Sequence, residues 1–215
     1  MSLTPQAAFS LTYDGGDPGH REIVIPALSE RGLVATFYVP GPELMENLQD
    51  WRAIANQSHE IGNGSMLDVG PFYDSLEPWE ELEEALDECF PDHPRTSALP
   101  WELTEIQVMP DVPGIVRSGR EGLNLQKLTD LTSLHIIRCD DLSGPELIQI
   151  AESGIKQSAW TIFSFAGVGI GDTSVDLAAH NRLLDYLQKQ EHPVGPVHEI
   201  ANLWQPYSIP PLRLS

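Results

Sequence analysis

Segments that favour β-strands alternate with amphipathic helical segments along the whole 215-residue chain. The pattern predicts strands at 7–13, 33–39, 60–63, 105–109, 114–117, 134–138, 158–165 and 194–197. Such an alternation is typical of parallel strands joined by helical crossovers, either in an open doubly wound sheet or in a closed barrel. About seven strand–helix units favour a small, irregular α/β barrel, although the chain is shorter than a typical eight-unit barrel of ~250 residues.

Several of the helical segments carry capping signals. Apolar spacing predicts helices at 20–31, 42–56, 75–90, 143–153 and 172–190, and a short last helix that ends at Trp204. Gly32 and Gly154 stand where helices commonly end, and Ser143 and the Asp-Thr-Ser run at 172–174 are typical of helix starts. Because no internal repeat, flexible linker or charge block is evident, residues 1–215 are predicted to form one domain.

The strong negative charge limits the classes of partner. The chain has 12 Lys and Arg against 32 Asp and Glu, which gives a formal charge of −20. Nucleic acids and anionic membrane surfaces are bound by clustered Lys and Arg, so neither is an expected partner. Cys89 and Cys139 are too few for a disulfide framework and are expected to be reduced. With no basic, apolar leader and no membrane-spanning stretch evident, we expect a cytoplasmic protein, and its oligomeric state stays open.

Polar and glycine-rich segments follow four of the predicted strands, at 12–17, 61–68, 116–120 and 164–169. The carboxyl ends of parallel strands meet at one end of a barrel or one edge of a sheet. We therefore expect these four segments to form the functional site together.

Three motifs occur in a set order. Residues 12–16 read Thr-Tyr-Asp-Gly-Gly, residues 35–39 read Ala-Thr-Phe-Tyr-Val, and residues 58–68 read Ser-His-Glu-Ile-Gly-Asn-Gly-Ser-Met-Leu-Asp. They resemble the polysaccharide deacetylase family (carbohydrate esterase family four, the nodulation-deacetylase homology domain). The motifs of that family read Thr-Phe-Asp-Asp-Gly, Ala-Thr-Phe-Phe/Tyr-Val and Gly-His-Glu-Ile-Gly-Asn-His-Ser/Thr-x-x-His. The resemblance is strongest over 9–68 and 160–187, and it implies an irregular seven-stranded β/α barrel.

The resemblance also implies metal-dependent removal of acetyl groups from N-acetylated sugars. The family uses a general base and a metal-binding Asp in the first motif, two metal-binding His residues in the second, and a late His as general acid. The metal, zinc or another divalent ion, lowers the pKa of its water and stabilises the oxyanion. At these positions the chain has Asp14 as the base, then Gly15, Gly64 and Asp68 for the three ligands, and Ala166 for the acid.

Changes at four catalytic positions, in a chain whose flanking residues match, indicate a degenerate family member that keeps the fold and loses the reaction. We therefore predict a non-catalytic protein that needs no metal or other cofactor. Its predicted ligand is a carbohydrate or an acetylated molecule, bound at the strand ends by Asn63, Asp68 and Arg117.

Two alternatives stay open. One is an active deacetylase or other amidohydrolase with a rearranged site around Asp14 and Asp68, to which Asp17 or His20 could add a metal donor. The other is a purely structural or assembly role.

Several side chains near the motifs have simpler interpretations. Asp14 could accept backbone N–H groups in the turn that follows it, and Arg117 could form a surface ion pair instead of orienting a substrate. His59 is predicted to be a buried, hydrogen-bonded histidine. Trp51 and Trp79 lie at helical spacing, which favours the core over stacking on a sugar ring.

Overall fold

The first strand, Ala8–Asp14 (β1), is buried along its whole length. Its Leu11 and Tyr13 pack into a large cluster shared with the surrounding helices. Ser10 and Thr12 alternate with them and accept or donate hydrogen bonds across the strands. Because successive side chains of a strand point to opposite faces, β1 presents an apolar outer face and a more polar inner face.

Seven parallel strands form a closed barrel in sequence order, and the last strand pairs with the first. The computed structural model describes residues 7–67, 75–100, 111–125, 131–169, 171 and 173–204. The strands after β1 are Thr36–Val39 (β2), Glu60–Asn63 (β3), Ser97–Ala98 (β4), Val116–Glu121 (β5), Leu134–Arg138 (β6) and Trp160–Phe165 (β7). The predicted irregular seven-stranded α/β barrel is confirmed.

Helices connect most of the strands and cover the outside of the barrel. They are Ile25–Ser29 (α1), which follows a π-helical turn at His20–Val24, Gly41–Glu46 (α2), Leu48–Ala55 (α3), Glu77–Cys89 (α4), Gly144–Lys156 (α5), Leu177–Leu187 (α6) and Val197–Trp204 (α7). Their apolar faces pack against outward-facing strand residues such as Phe37 and Phe163. Within the described ranges, no helix has the length and apolar character needed to cross a membrane.

The last helix, α7, closes the amino-terminal end of the barrel. Val197 and Ile200 of this helix pack against Ala8 and Trp160, which stand at the starts of β1 and β7. The loops that follow the strands therefore lie at the opposite end, where the functional site was expected.

Glu60, the first residue of β3, connects α7 to the barrel through hydrogen bonds. Its buried carboxylate accepts hydrogen bonds from Thr36 Oγ1 at 2.8 Å and from Thr96 Oγ1 at 2.6 Å. The backbone N–H and Nδ1 of His198 donate to Glu60 Oε2 at 3.0 and 2.9 Å. The N–H of Val197 donates to Thr36 Oγ1 at 2.9 Å. Two side chains of the barrel thus satisfy N–H groups at the start of α7 that have no partner within the helix.

Two predicted helices differ from the observed ones because of local side-chain contacts. The helix predicted over 42–56 is broken at Asn47, whose Nδ2 donates to Glu43 Oε1 at 3.0 Å and whose backbone leaves the helical region. The helix predicted to begin at 172–174 begins after Asp176 instead, because Asp176 Oδ1 accepts the N–H groups of the first turn at 2.8 and 3.2 Å. Residue 172 itself lies outside the described part of the chain.

Of the two glycines predicted to end helices, one does so and the other does not. Gly32 ends the first helical segment with φ +63°, as predicted. Gly154 lies inside α5 and does not end it, because a glycine here allows the helix to approach the side chain of Thr161 in β7.

The strand predictions failed where few residues pair. The strand predicted over 194–197 is wrong: Val194 forms an isolated bridge with Phe9, and the chain then enters α7. Pro196 lacks the N–H that would continue the ladder. Conversely, β4 has two residues, too few to show a period in the sequence. The strand predicted over 105–109 lies outside the described residues.

Candidate functional site

Asp14 ends β1 and meets residues from two other strands at the expected end of the barrel. Arg117 of β5 donates from Nη2 to Asp14 Oδ2 at 2.7 Å, and Ser164 Oγ of β7 donates to the same oxygen at 3.2 Å. The Arg117 side chain has no exposed surface, and 8 % of the Asp14 side chain is exposed. The interpretation of Arg117 as a surface ion pair is therefore wrong, and Asp14 does more than cap its own turn.

A tyrosine and a serine fix the guanidinium of Arg117. The guanidinium lies 5.1 Å from the ring centroid of Tyr38, a cation–π contact, and its Nη1 donates to Ser164 Oγ at 3.4 Å. Thr96 donates its hydroxyl proton to Glu60, so the Tyr38 hydroxyl donates to Thr96 Oγ1, at 2.7 Å. Burial raises the pKa of Tyr38 well above its ordinary value of 10.0. A neutral, anchored ring thus supports the cation that holds Asp14.

Gly15 stands at the first ligand position and bends the chain away from β1. Its φ is +86°, a left-handed conformation that glycine adopts easily. Its N–H donates to the carbonyl of Tyr38 at 2.9 Å, and a Cβ added at Gly15 would meet no atom within 4 Å. The space for a side chain exists, but the backbone conformation there is strained for any residue with a Cβ.

Gly64, at the second ligand position, has no space for a side chain. A Cβ added there would lie 2.7 Å from the carbonyl carbon of Tyr38 and 2.8 Å from the backbone nitrogen of Val39. Both atoms belong to the backbone of β2, which cannot turn aside as a flexible side chain would. A side chain at position 64 would therefore require the β2 backbone to move.

Ala166, which the motif resemblance places at the general-acid position, contributes only a methyl group and its backbone. Its carbonyl accepts a hydrogen bond from His20 Nε2 at 3.1 Å, and its N–H lies against the carboxylate of Asp140. His20 is fully buried and lies behind the strand end. Burial lowers the pKa of His20 to about 4, so this imidazole is neutral at ordinary pH.

The sequence analysis missed Asp140, which belongs to this end of the barrel. Its side chain is 9 % exposed and lies 3.4 Å from Arg138 Nη2. Burial raises the pKa of Asp140, against the effect of Arg138. Asp140 is the second residue after β6, and reading the residues after the predicted strand at 134–138 would have found it.

Asn63, predicted to contact a ligand, has protein partners on both ends of its amide. Its Nδ2 donates to the Trp79 carbonyl at 3.0 Å and to Glu83 Oε1 at 2.9 Å. Its Oδ1 accepts from Ser65 N at 3.0 Å and from Ser65 Oγ at 2.7 Å. These bonds attach α4 to the end of β3. Asp68, the other predicted contact beside Arg117, lies outside the described residues.

Two of the donors proposed for a rearranged metal site, His20 and Asp17, have other hydrogen-bond partners, and Asp68 lies outside the described residues. The imidazole of His20 bonds to Ala166, and Asp17 Oδ1 accepts the N–H of Gly19 at 2.8 Å. Among the residues that the structure describes, no three His, Cys, Asp or Glu side chains are grouped as metal ligands. Of the three ligand positions that the motif resemblance implies, Gly15 and Gly64 have no donor side chain.

His59 and the two tryptophans follow their simpler interpretations. His59 is buried, and its Nδ1 accepts the N–H of Ala35 at 3.1 Å. Trp51 is fully buried in the core. Trp79 packs against a small cluster beside α4 and donates from Nε1 to Ser97 Oγ at 2.8 Å.

A groove of about 620 Å³ lies between α2 and α4, at the carboxyl ends of β1 to β3. Gly15 and Ser65 form part of its wall, so it opens beside the first two ligand positions of the family. Two carboxylates, those of Glu43 and Glu81, also line it. The remaining lining residues are mostly apolar, namely Pro40, Gly41, Pro42, Met45, Pro78, Leu82 and Ala85.

The fold resembles those of several solved carbohydrate esterases. It superposes on a family 4 acetyl xylan esterase from Clostridium thermocellum with a TM-score of 0.61 and 15 % identity, over 91 % of each chain. The Xyl-CE4 domain of a multidomain xylanase from the hindgut metagenome of Trinervitermes trinervoides gives a TM-score of 0.59 at 14 % identity, over 92 % of this chain and 91 % of that one. At these identities the likeness concerns the fold.

One structural relative is described as a pseudoenzyme. The CE4 family pseudoenzyme from Bacillus anthracis gives a TM-score of 0.56 at 16 % identity, over 91 % of this chain and 66 % of that one. No curated protein sequence matches the chain. Residues 2–100 match the model of the polysaccharide deacetylase family, a range that includes Asp14, Gly15 and Gly64. Residues 2–100, just under half of the chain, are thus similar to the polysaccharide deacetylase family, and they have glycine at two positions where the family's motifs carry metal ligands.

Proposed function

We propose that the protein is a non-catalytic polysaccharide deacetylase-like protein that binds a carbohydrate or an acetylated ligand at the carboxyl ends of its strands. The observation that carries the proposal is the state of the second ligand position. Gly64 offers no donor atom, and the β2 backbone lies where a Cβ would be. A donor side chain at this position would therefore collide with the β2 backbone.

The remaining residues support the loss of hydrolysis. Hydrolysis of an acetamide needs an activated water, a base for its proton and an acid for the leaving amine. Gly15 and Gly64 supply no metal ligand, and the methyl group of Ala166 cannot donate a proton. Asp14 keeps the carboxylate of the family's base, and it accepts hydrogen bonds from Arg117 and Ser164.

Ligand binding is supported by what the chain retains. The ion pair of Asp14 with Arg117 and the groove beside Gly15 lie at the same end of the barrel. Ligands of parallel β/α folds bind at this end. The groove has a size that suits small ligands, and the reactive groups of the family are missing beside it. This combination supports binding of a ligand without its hydrolysis.

Two measurements test the proposal. The first is acetate release from N-acetylglucosamine oligomers with added zinc or cobalt, compared with the Asp14→Asn variant. We expect no release above that of the variant. Release that depends on Asp14 and on the metal would show an active enzyme and overturn the non-catalytic assignment.

The second measurement is calorimetric titration of sugar oligomers, N-acetylated and free, into the full chain. We expect saturable binding with a stoichiometry near one. An absence of both heat and thermal stabilisation at millimolar concentrations of all the oligomers would overturn the binding assignment and favour a structural role.

A further inference from the structure

The groove between α2 and α4 is large enough for a short chain of sugar rings. Its volume of about 620 Å³ is within the range of small-molecule sites. Pro78, Glu81, Leu82 and Ala85 of α4 follow the three- and four-residue spacing of one helix face, and this face forms one wall. The apolar C–H faces of sugar rings can lie against such a wall while their polar groups reach its carboxylates.

The charges at this end of the barrel are only partly balanced. Arg117 balances Asp14, and Arg21 pairs with Glu43. Glu81 is exposed in the groove wall, and no ion pair to it is found within the described ranges. The exposed Glu77, Glu80 and Glu84 of the same helix add to the negative potential. A cleft lined by charges of one sign attracts ligands of the opposite sign.

A protonated amine suits this groove better than an acetamide does. An ammonium group brings a positive charge and three N–H donors to a carboxylate, whereas an N-acetyl group is neutral. The groove opens beside Gly15 and Ser65, where the family's motifs would place a divalent cation. In the groove itself Glu43 is paired with Arg21, so Glu81 is the carboxylate that an ammonium group would meet.

We infer that the groove binds de-N-acetylated amino sugars, with the ammonium group of a glucosamine unit paired with Glu81. The inference rests on the proposed carbohydrate-binding function and names the class of sugar. The protein would then recognise the product type of its catalytic relatives' reaction in preference to the N-acetylated form.

Calorimetry with matched oligosaccharides tests the inference. The probes are the β-1,4-linked tetramers of glucosamine and of N-acetylglucosamine, titrated into the full chain at a slightly acidic pH where the amines are protonated. We expect the glucosamine tetramer to bind about tenfold more tightly, and added salt to weaken it selectively. Glu81→Gln should reduce its affinity about tenfold and leave the N-acetylated tetramer unaffected.

Glu80→Gln is the matched control. It removes the same charge from the same helix at an exposed position that does not line the groove. Both variants change exposed side chains, and thermal unfolding checks that both are folded. An equal loss of affinity in the two variants would show that binding depends on the total negative charge of α4, and it would overturn the assignment to Glu81.

The other outcomes separate this inference from the proposed function. If the N-acetylated tetramer binds as tightly or more tightly and Glu81→Gln changes nothing, the inference is wrong and carbohydrate binding stands. If neither tetramer binds, both are wrong. If a lysine tetrapeptide binds as tightly as the glucosamine tetramer with the same dependence on Glu81, the groove takes basic peptides and the sugar assignment is wrong.

Discussion

Arg117 donates to Asp14 Oδ2 at 2.7 Å across 103 positions of the sequence, and the guanidinium side chain is fully buried. This ion pair joins β1 to β5, which are not neighbours in the barrel. It therefore links opposite parts of the barrel wall and sets the position of the carboxylate that the family uses as a base.

Removal of one partner of this pair should destabilise the protein strongly. Arg117→Met leaves a buried carboxylate without its cation, and we expect a loss of about 3–5 kcal/mol in the free energy of unfolding. Urea denaturation measures it. Asp14→Asn combined with Arg117→Met should cost less than the sum of the single changes, because the double variant leaves no lone buried charge.

Arg31→Met is the control for that experiment. Arg31 pairs with Asp185 at 2.7 Å, but the Asp185 side chain is 54 % exposed. We expect a loss of about 1 kcal/mol or less. A similarly small loss for Arg117→Met would contradict the structural importance of the buried pair.

The close contact at Gly64 predicts that even a methyl group is harmful there. Gly64→Ala places a Cβ 2.7 Å from a backbone carbon of β2, so we expect a loss of about 1–3 kcal/mol. At Gly41 the nearest atom to an added Cβ is Leu82 Cδ1 at 3.9 Å, and Gly41→Ala should change stability by about 0.5 kcal/mol or less. Chemical denaturation of both variants makes the comparison, and equal stability would refute the contact.

Restoring the family's side chains should not restore a metal site. The variant combines Gly15→Asp, Gly64→His, Asp68→His and Ala166→His. The new side chain at position 64 would collide with the β2 backbone. The new residue at position 15 would have to adopt a backbone φ of +86°. We expect a poorly folded protein with no retained zinc, as measured by circular dichroism and by elemental analysis after dialysis. A folded variant with one zinc per chain would show that β2 can shift.

The contact between His198 and Glu60 predicts a loss of stability as the pH rises above about 6.5. Burial alone lowers the pKa of His198, but the hydrogen bond to Glu60 and the charge of Glu60 raise it above its ordinary value of 6.5. A raised pKa in the folded state means that the contribution is complete below about pH 6.5 and is lost as the pH rises through the raised value. Urea unfolding across this range should show the loss in the wild type.

His198→Gln should remove that part of the pH dependence. His93→Gln, at an exposed histidine, should keep it. If the wild type and His198→Gln changed in parallel with pH, the ion pair would have no part in the effect.

Three other histidines predict a loss of stability in acid. Burial lowers the pKa values of His20 and His59 to about 4 and that of His180 to about 3. Between about pH 6.5 and pH 4 the unfolded chain binds protons that the folded chain does not, so stability falls as the pH falls. His59→Gln should make this fall shallower, as measured by urea unfolding at several pH values. An unchanged slope would mean that His59 titrates alike in both states.

The fold could be predicted from features that are local in the sequence. The alternation of strand and helix and the glycine at position 32 each act over a few residues, and the barrel and that helix end are confirmed. The errors arise where one side-chain contact, either local or between elements, overrides the pattern of apolar residues. Asn47 breaks a helix by bonding to Glu43, and Gly154 stays inside α5 because of Thr161.

The candidate site could be located from the strand ends, but its contacts could not. Asp14 was placed correctly at the end of β1. Its pairing with Arg117, and the support of that arginine by Tyr38, depend on how strands far apart in the sequence face the interior. The steric closure at Gly64 arises from the neighbouring β2 backbone and leaves no trace in the local sequence.

The position of Glu60 has a consequence for synthesis on the ribosome. Glu60 is synthesised early in translation. Val197 and His198, whose N–H groups complete the hydrogen-bond network, are synthesised more than a hundred residues later. Until then a nascent chain holds an acidic group in a barrel that also lacks β7, the strand that pairs with β1. The closed barrel with its satisfied Glu60 network therefore cannot form until β7 and α7 have been synthesised.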